Sequence, residues 1–156
     1  MEWTTLAGTG LGALVGVGST LLADRARWRR DTADQARQER KEIYVACLTT
    51  FRQAHESMRA VATGDQQREA AAVDAAVREA FRESGCNEAR ETALICVPPE
   101  LAATIEDAYL SLRELRDVLA AGNPLASTAY KEARRAHTRT VTTAREAMRH
   151  DLTRPT

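Results

Sequence analysis

An uncharged run near the N-terminus restricts the structures open to this chain more than any other feature. Residues 3–23 contain no Asp, Glu, Lys or Arg. A helix of twenty residues spans about 30 Å, which matches the hydrocarbon core of a bilayer. Half of residues 4–23 are Gly, Ser or Thr, so the run is only moderately hydrophobic. Its length and lack of charge predict a transmembrane helix over residues 1–23.

A cleaved signal peptide is the alternative, and the flanking charges disfavour it. A signal peptide has a positive region before its apolar stretch, whereas the only charged side chain before this run is Glu2. The basic residues follow the run instead, at Arg25, Arg27, Arg29 and Arg30. Basic residues beside a span favour the cytoplasmic side. We therefore expect a single-pass protein of the cell membrane, with its N-terminus outside and its C-terminal domain in the cytoplasm.

Two tryptophans bracket the predicted span, Trp3 at its start and Trp28 just after its end. Trp is enriched at both membrane–water interfaces, and although an ordinary helix-surface position is the alternative for each, the bracketing favours the interface. The predicted membrane-interface residues are Trp3, Arg25, Arg27, Trp28, Arg29 and Arg30.

Three glycines in the predicted span are spaced by four residues, at Gly8, Gly12 and Gly16. This spacing places them on one face of a helix, where small residues let another helix approach closely in lipid. We predict that this face mediates self-association or docking to a partner span. The alternative is that glycine is simply frequent in membrane helices.

Residues 24–42 follow the span without any Pro or Gly, and they carry seven basic and five acidic residues. We predict a charged helical stalk that continues the span. The basic residues at its start are interpreted as a stop-transfer signal, with binding of anionic lipid as the alternative. The whole chain has 22 basic and 22 acidic residues. It therefore lacks an overall basic field, and we expect no nucleic-acid partner.

From residue 43 onward, apolar residues recur with a helical period. The 29 Ala, the 20 Arg and the aromatic content of 4% favour helices over strands. The predicted breaks are Thr63-Gly64, Ser84-Gly85, Pro98-Pro99 and Gly122-Asn123-Pro124, with the last helix starting near Leu125. The pattern of residues 88–97 is ambiguous, and we prefer a helix. The fold class is therefore all-α, an antiparallel bundle of about four helices over residues 43–152 with a tail at 153–156. The helix after the prolines presents the stripe Leu101, Ile105, Ala108, Leu112, Leu115 and Leu119.

The sequence contains no known motif for catalysis or ligand binding. The sequence has no Glu-x-x-His pair, no Cys-x-x-Cys and no phosphate-binding loop. His55 and His137 fall on apolar stripes, which indicates core or boundary positions rather than catalytic bases. Cys47 and Cys96 are expected in the core, whereas Cys86 is a candidate exposed thiol. We therefore predict no enzymatic activity, no cofactor, no metal site and no small-molecule substrate.

The order of these segments resembles a known kind of protein. The Gly- and Leu-rich span is followed by an Arg-rich run with Trp28, by Glu42-Ile43-Tyr44-Val45-Ala46 at the start of the bundle, by the Val97-Pro98-Pro99-Glu100 break and by a final helix rich in Ala and Arg. Over its whole length the chain resembles uncharacterised small membrane-anchored helical proteins of high-GC actinobacteria. The resemblance implies a location at the cell membrane and no known activity.

These features together predict a membrane-anchored helical-bundle protein that acts in protein interaction or scaffolding. Its expected partners are the lipid bilayer and either further copies of itself or another protein. The alternative is a membrane-perturbing small channel or holin-like effector, in which the Gly- and Thr-rich spans oligomerise.

The predicted glycine face is tested by Gly12→Ile, with Leu14→Ile as a control away from that face. Lipid tails are as apolar as Leu, so close backbone packing has to drive span association, and a large side chain at Gly12 blocks it. Gly12→Ile should lower the oligomer fraction of residues 1–42, measured by cross-linking in membranes. Leu14→Ile should leave it nearly unchanged. An unchanged fraction in Gly12→Ile would show that the glycines are not an association face.

Overall fold

The computed structural model describes the backbone of residues 3–64 and 69–154, together with the side chains of Arg25, 27–64 and 69–154. The regular structure of these residues is entirely α-helical, with no strand. The helices are α1 (Trp3–Gly64), α2 (Ala70–Glu83), α3 (Cys86–Cys96), α4 (Pro99–Ala120) and α5 (Thr128–Thr153). The all-α fold class and the helical assignment of the segment before Pro98 are confirmed.

The chain divides into two compact units, of which the first ends at Glu39 and the second starts at Arg40. In the first unit, the described surface of α1 carries an ion pair of Arg37 with Asp34, whose Nη1 and Oδ1 atoms are 3.7 Å apart. The side chains of the predicted span at 1–23 lie outside the described residues. Among the described residues, no helix has an apolar stretch that is long enough to cross a membrane.

Glycine and proline set the helix ends in the second unit, as predicted. Gly85 and Gly122 have φ angles of 72° and 74°, in the left-handed region where a side chain would be strained. Pro98 is the N-cap of α4 and Pro99 its first residue. Proline is well suited to that position, because the first N–H groups of a helix have no partner within it.

The start of α5 differs from the prediction, because the helix begins at Thr128 and not near Leu125. The N-cap is Ser127, whose Oγ accepts a hydrogen bond of 3.2 Å from the backbone N–H of Tyr130. Serine is among the preferred N-cap residues, since its hydroxyl satisfies an N–H that the helix leaves unpaired. The capping hydroxyl therefore fixes the helix start after the turn that follows Pro124.

Helix α4 is central to the second unit, because it packs against α2, α3 and α5. Every residue of its predicted apolar stripe is buried. The Tyr109 ring of α4 also packs near both Phe51 of α1 and Phe81 of α2, with its ring centroid 6.2 Å and 6.1 Å from theirs. Tilted ring pairs at these distances are favourable. One ring of α4 therefore ties α1 and α2 to the same core.

Helices α1 and α5 run antiparallel within the second unit. Tyr44 donates a hydrogen bond of 2.7 Å from its Oη to Oδ2 of Asp151, near the end of α5. His55, further along α1, contacts Tyr130 near the start of α5. Burial, and then the bond to the Asp151 carboxylate, raises the pKa of Tyr44 above its usual value. Tyr44 therefore remains a neutral donor and fixes the pairing of the two helices at this end.

Two of the cysteine predictions are wrong. Cys86, the candidate exposed thiol, is buried, and Cys96, expected in the core, is exposed. The buried positions of α3 are Cys86 and Ala93, and Val97 at the helix end packs against the same core. Spacings of seven and four residues place these three on one face of a helix. The core position at the end of α3 is therefore filled by Val97 rather than by Cys96, while Cys47 is buried as predicted.

The role of α4 in stability is tested by Leu112→Ala, with Ile95→Ala as the control. Leu112 is fully buried, whereas Ile95 of α3 is 82% exposed. Leu112→Ala should lower the free energy of unfolding by about 2–5 kcal/mol, since it removes buried apolar atoms and leaves a cavity. Ile95→Ala should change it by no more than about 0.5 kcal/mol. Urea unfolding of the detergent-solubilised chain, followed by circular dichroism, measures both, and equal effects would contradict the assignment.

Candidate functional site

The self-association face predicted at Gly8, Gly12 and Gly16 lies outside the residues whose side chains the structure describes, as does Trp3. Their roles stay predictions.

The other predicted membrane-interface residues lie on the described surface of α1. Arg25, Arg27, Arg29 and Arg30 are exposed, and Trp28 is 68% exposed. An indole that is exposed to this extent is free to enter an interfacial layer, where its apolar body and polar N–H are both accommodated. No described contact assigns these side chains another role, and the interface remains a prediction for them.

An open groove in the second unit runs between α1 and α5 and encloses about 410 Å³. Its apolar lining residues are Val45, Leu48, Phe51 and Val141, and its polar ones are Thr49, Arg52, His55, His137, Thr138, Thr142 and Arg145. None of these is acidic. Val45, Leu48 and Phe51 recur every three positions along α1, so they form an apolar strip on one face of that helix, to which α5 adds Val141. Both predicted boundary histidines thus line one surface.

A buried network of hydroxyl groups holds the His137 ring in place. Its Nδ1 lies 3.0 Å from Oγ of Ser111, which donates its own proton to the Ala108 carbonyl at 2.7 Å. A serine hydroxyl has a single proton, so the direction of the Ser111–His137 bond depends on the tautomer of the imidazole. Thr140 Oγ1 completes the network at 2.7 Å from the same Ser111 oxygen.

The two histidine rings meet at one end of the groove, with centroids 6.0 Å apart and planes at 79°. His55 Nε2 lies 3.2 Å from the hydroxyl of buried Tyr130, which fixes the ring on α1 as Ser111 fixes the one on α5. The sequence pattern places both histidines on apolar stripes, but it does not indicate that the two rings meet. The pairing depends on how α1 and α5 are aligned, which neither stripe reveals alone.

Both imidazoles are neutral at pH 7. Burial, followed by the neighbouring His55, lowers the pKa of His137 to about 4, against a smaller opposing effect of a hydrogen bond to the Ala108 backbone. Burial also lowers the pKa of His55, and the positive charges of Arg134 and Arg59 add to this effect. The inner end of the groove therefore offers neutral hydrogen-bonding groups, whereas the arginines at its rim are charged.

Ser111 and His137 have the atom types of a nucleophile and its base, but their arrangement does not suit that chemistry. A nucleophile must present its hydroxyl to a substrate, whereas the Ser111 hydroxyl is shared among the Ala108 carbonyl, Nδ1 of His137 and Oγ1 of Thr140. Ser111 is buried and is not among the residues that line the groove. The network therefore orients the His137 ring. In the described part of the chain, no group of three or more His, Cys, Asp or Glu side chains is arranged to hold a metal ion.

The buried state of His137 predicts a pH-dependent stability. Its pKa is lowered from 6.5 to about 4 in the folded chain. Between pH 6.5 and about pH 4 the unfolded state therefore binds a proton that the folded state does not. The free energy of unfolding should then fall by about 1.4 kcal/mol per pH unit for this one group, and the loss should be absent above pH 6.5.

The control for this prediction is His150, which is exposed on the same helix. His137→Gln should flatten the slope between pH 6.5 and pH 5 in urea unfolding, whereas His150→Gln should keep the wild-type slope. A wild-type slope in His137→Gln would mean that other groups cause the pH dependence.

The groove combines a histidine pair, an apolar strip and a basic rim in one surface of the second unit. Compared with known proteins, the chain matches no protein-family model, no curated protein and no solved structure. What the groove binds is therefore inferred from its own side chains.

Proposed function

We propose that this chain is a membrane-anchored adaptor whose helical bundle binds an amphipathic helix of another protein. The binding site is the groove between α1 and α5. The observation that carries the proposal is the lining of this groove, which joins an open apolar strip to basic residues and contains no carboxylate. Amphipathic helices bind such grooves by laying their apolar face along the strip.

The length of the groove suits a short helix. Its lining on α1 extends from Val45 to His55, which corresponds to about 15 Å or three helical turns. A bound helix of this length presents apolar residues at positions i, i+3 or i+4, and i+7. Val45 is 57% exposed, so the outer part of the strip is open to such a partner.

The charges at the rim indicate the chemistry of the partner. Arg145 makes no ion pair within the described residues, and Arg52 pairs only with the exposed Glu56 next to it on α1, at 3.0 Å. We infer that the partner helix carries Asp or Glu beside its apolar face, because opposite charges across an interface select the partner and its orientation. A second copy is less suitable, since a two-fold interface brings the same patch against itself and would set the basic rims against each other.

The proposed anchor is supported by the sequence. Residues 3–23 are uncharged and are followed by the basic run that starts at Arg25, and Trp28 is exposed beside it. An anchored chain holds its binding groove at the bilayer and raises the local concentration of whatever it binds there. The proposed activity is therefore recruitment of a helical partner to the membrane.

Site-specific photo-cross-linking in the cells that make the protein tests this proposal. A benzophenone amino acid replaces Val45 or Thr142 in the groove, or Glu132 as an exposed control on α5. Both groove positions should capture the same membrane-fraction protein, joined through an amphipathic segment with flanking acidic residues, and Glu132 should not. Arg145→Glu should lower the yield, because it places a negative charge against the acidic partner.

Three results would overturn the adaptor proposal. One is a cross-link from the groove only to a second copy of the chain, and another is equal capture from Glu132. The third is a chain that captures its partner but is absent from the membrane fraction, which would remove the anchor and leave only the groove.

A further inference from the structure

A second cavity lies away from the groove, among α2, α3 and α4, and encloses about 300 Å³. Four arginines line it: Arg78, Arg82, Arg113 and Arg116. The other lining residues are the two aromatic residues Phe81 and Tyr109 and the amide Asn87. No lining residue is acidic, and the volume is at the lower end of the roughly 300–1,000 Å³ of small-molecule sites. We call this site the arginine cavity.

The carboxylates that balance these arginines are not part of the cavity lining. Asp117 pairs with both Arg116, at 2.8 Å, and Arg78, at 3.4 Å. Arg78 also pairs with Asp74, and Arg82 pairs with Glu79. Each guanidinium has five N–H donors, so these bonds leave donors free.

Arg113 is the most available cation of the four. Its side chain is exposed, and it makes no ion pair with any residue that the structure describes. An arginine without a carboxylate partner has its full set of donors available for a ligand.

Two neighbours of the arginines are already positioned. The Arg116 guanidinium lies 4.9 Å from the centroid of the Phe81 ring, and its side chain is 14% exposed. The hydroxyl of Tyr109 donates to Oδ1 of Asn87 at 2.5 Å, which leaves the amide N–H groups of Asn87 as donors. Groups that are held in place before binding lose less conformational entropy when a ligand arrives.

We propose that the arginine cavity binds the phosphate group of a small ligand, a phosphomonoester or a diphosphate. Planar guanidinium groups form paired hydrogen bonds to phosphate oxygens. A terminal phosphate presents three acceptor oxygens, whereas a carboxylate presents two, so a phosphate uses more of the donors that α2, α3 and α4 contribute to the cavity lining. This inference is independent of the proposed adaptor function, because the two sites share no lining residue.

Isothermal titration of the full chain in a neutral detergent tests the proposal, with inorganic pyrophosphate as the probe and sulfate at equal ionic strength as the comparison. Arg113→Gln and Arg82→Gln remove exposed cations of the cavity, and Arg135→Gln is the matched control on exposed α5 surface. Wild type and Arg135→Gln should bind one pyrophosphate per chain. Each cavity variant should bind about tenfold to a hundredfold more weakly, which is the usual effect of a hydrogen bond to a charged group.

A second set of titrations distinguishes a soluble ligand from a lipid headgroup. It uses the same variants in nanodiscs with and without phosphatidic acid. Any binding of this lipid by Arg25–Arg30 is the same in every variant, because no substitution changes those residues. Loss of binding in the cavity variants in either set supports a phosphate site and identifies its source. Equal binding by all variants in both sets, equal heats with sulfate, or no binding by the wild type would overturn the proposal.

Discussion

Burial of one apolar stripe on α4 is the constraint on which the second unit depends. Helices α2 and α3 each bury only two side chains, Val77 and Phe81 in one and Cys86 and Ala93 in the other. Helices this short are marginal in water on their own, and most of their stability comes from tertiary packing. Helix α4 packs against both of them and against α5. A defect in its stripe would therefore remove the apolar surface against which the other helices are buried and stabilised.

A buried polar group beside that stripe determines how α4 and α5 are aligned rather than how much apolar surface they bury. Ser111 is a buried polar residue on α4, and its contacts with His137 and Thr140 join α4 to α5. Breaking such a contact would leave a buried donor or acceptor unpaired, which typically costs about 1–3 kcal/mol. A rotation of α5 about its own axis would incur that cost. The network therefore helps to determine which residues of α5, such as Val141 and Arg145, line the groove.

The sequence predicts best those features that depend on interactions between residues close together in the chain. Helix breaks at Gly85 and Gly122 follow from the backbone freedom of glycine, and the stripe of α4 follows from its period. The meeting of His55 with His137 required the alignment of two helices, which Tyr44 and Asp151 fix from roughly three to four turns away. No motif marks that contact. The arginine cavity is similarly beyond sequence reasoning, because its arginines come from two helices and its amide from a third. From the sequence alone, these residues are expected only on the solvent-exposed faces of separate helices.

The distribution of thiols has a practical consequence for studying the molecule. Cys47 and Cys86 are buried, and burial raises the pKa of both thiols, so little reactive thiolate is present at neutral pH. Cys96 is exposed at the last residue of α3. Of the three thiols in the chain, only that of Cys96 is therefore accessible to a labelling reagent. A fluorophore or spin label attached there would report on the bundle without any engineered substitution.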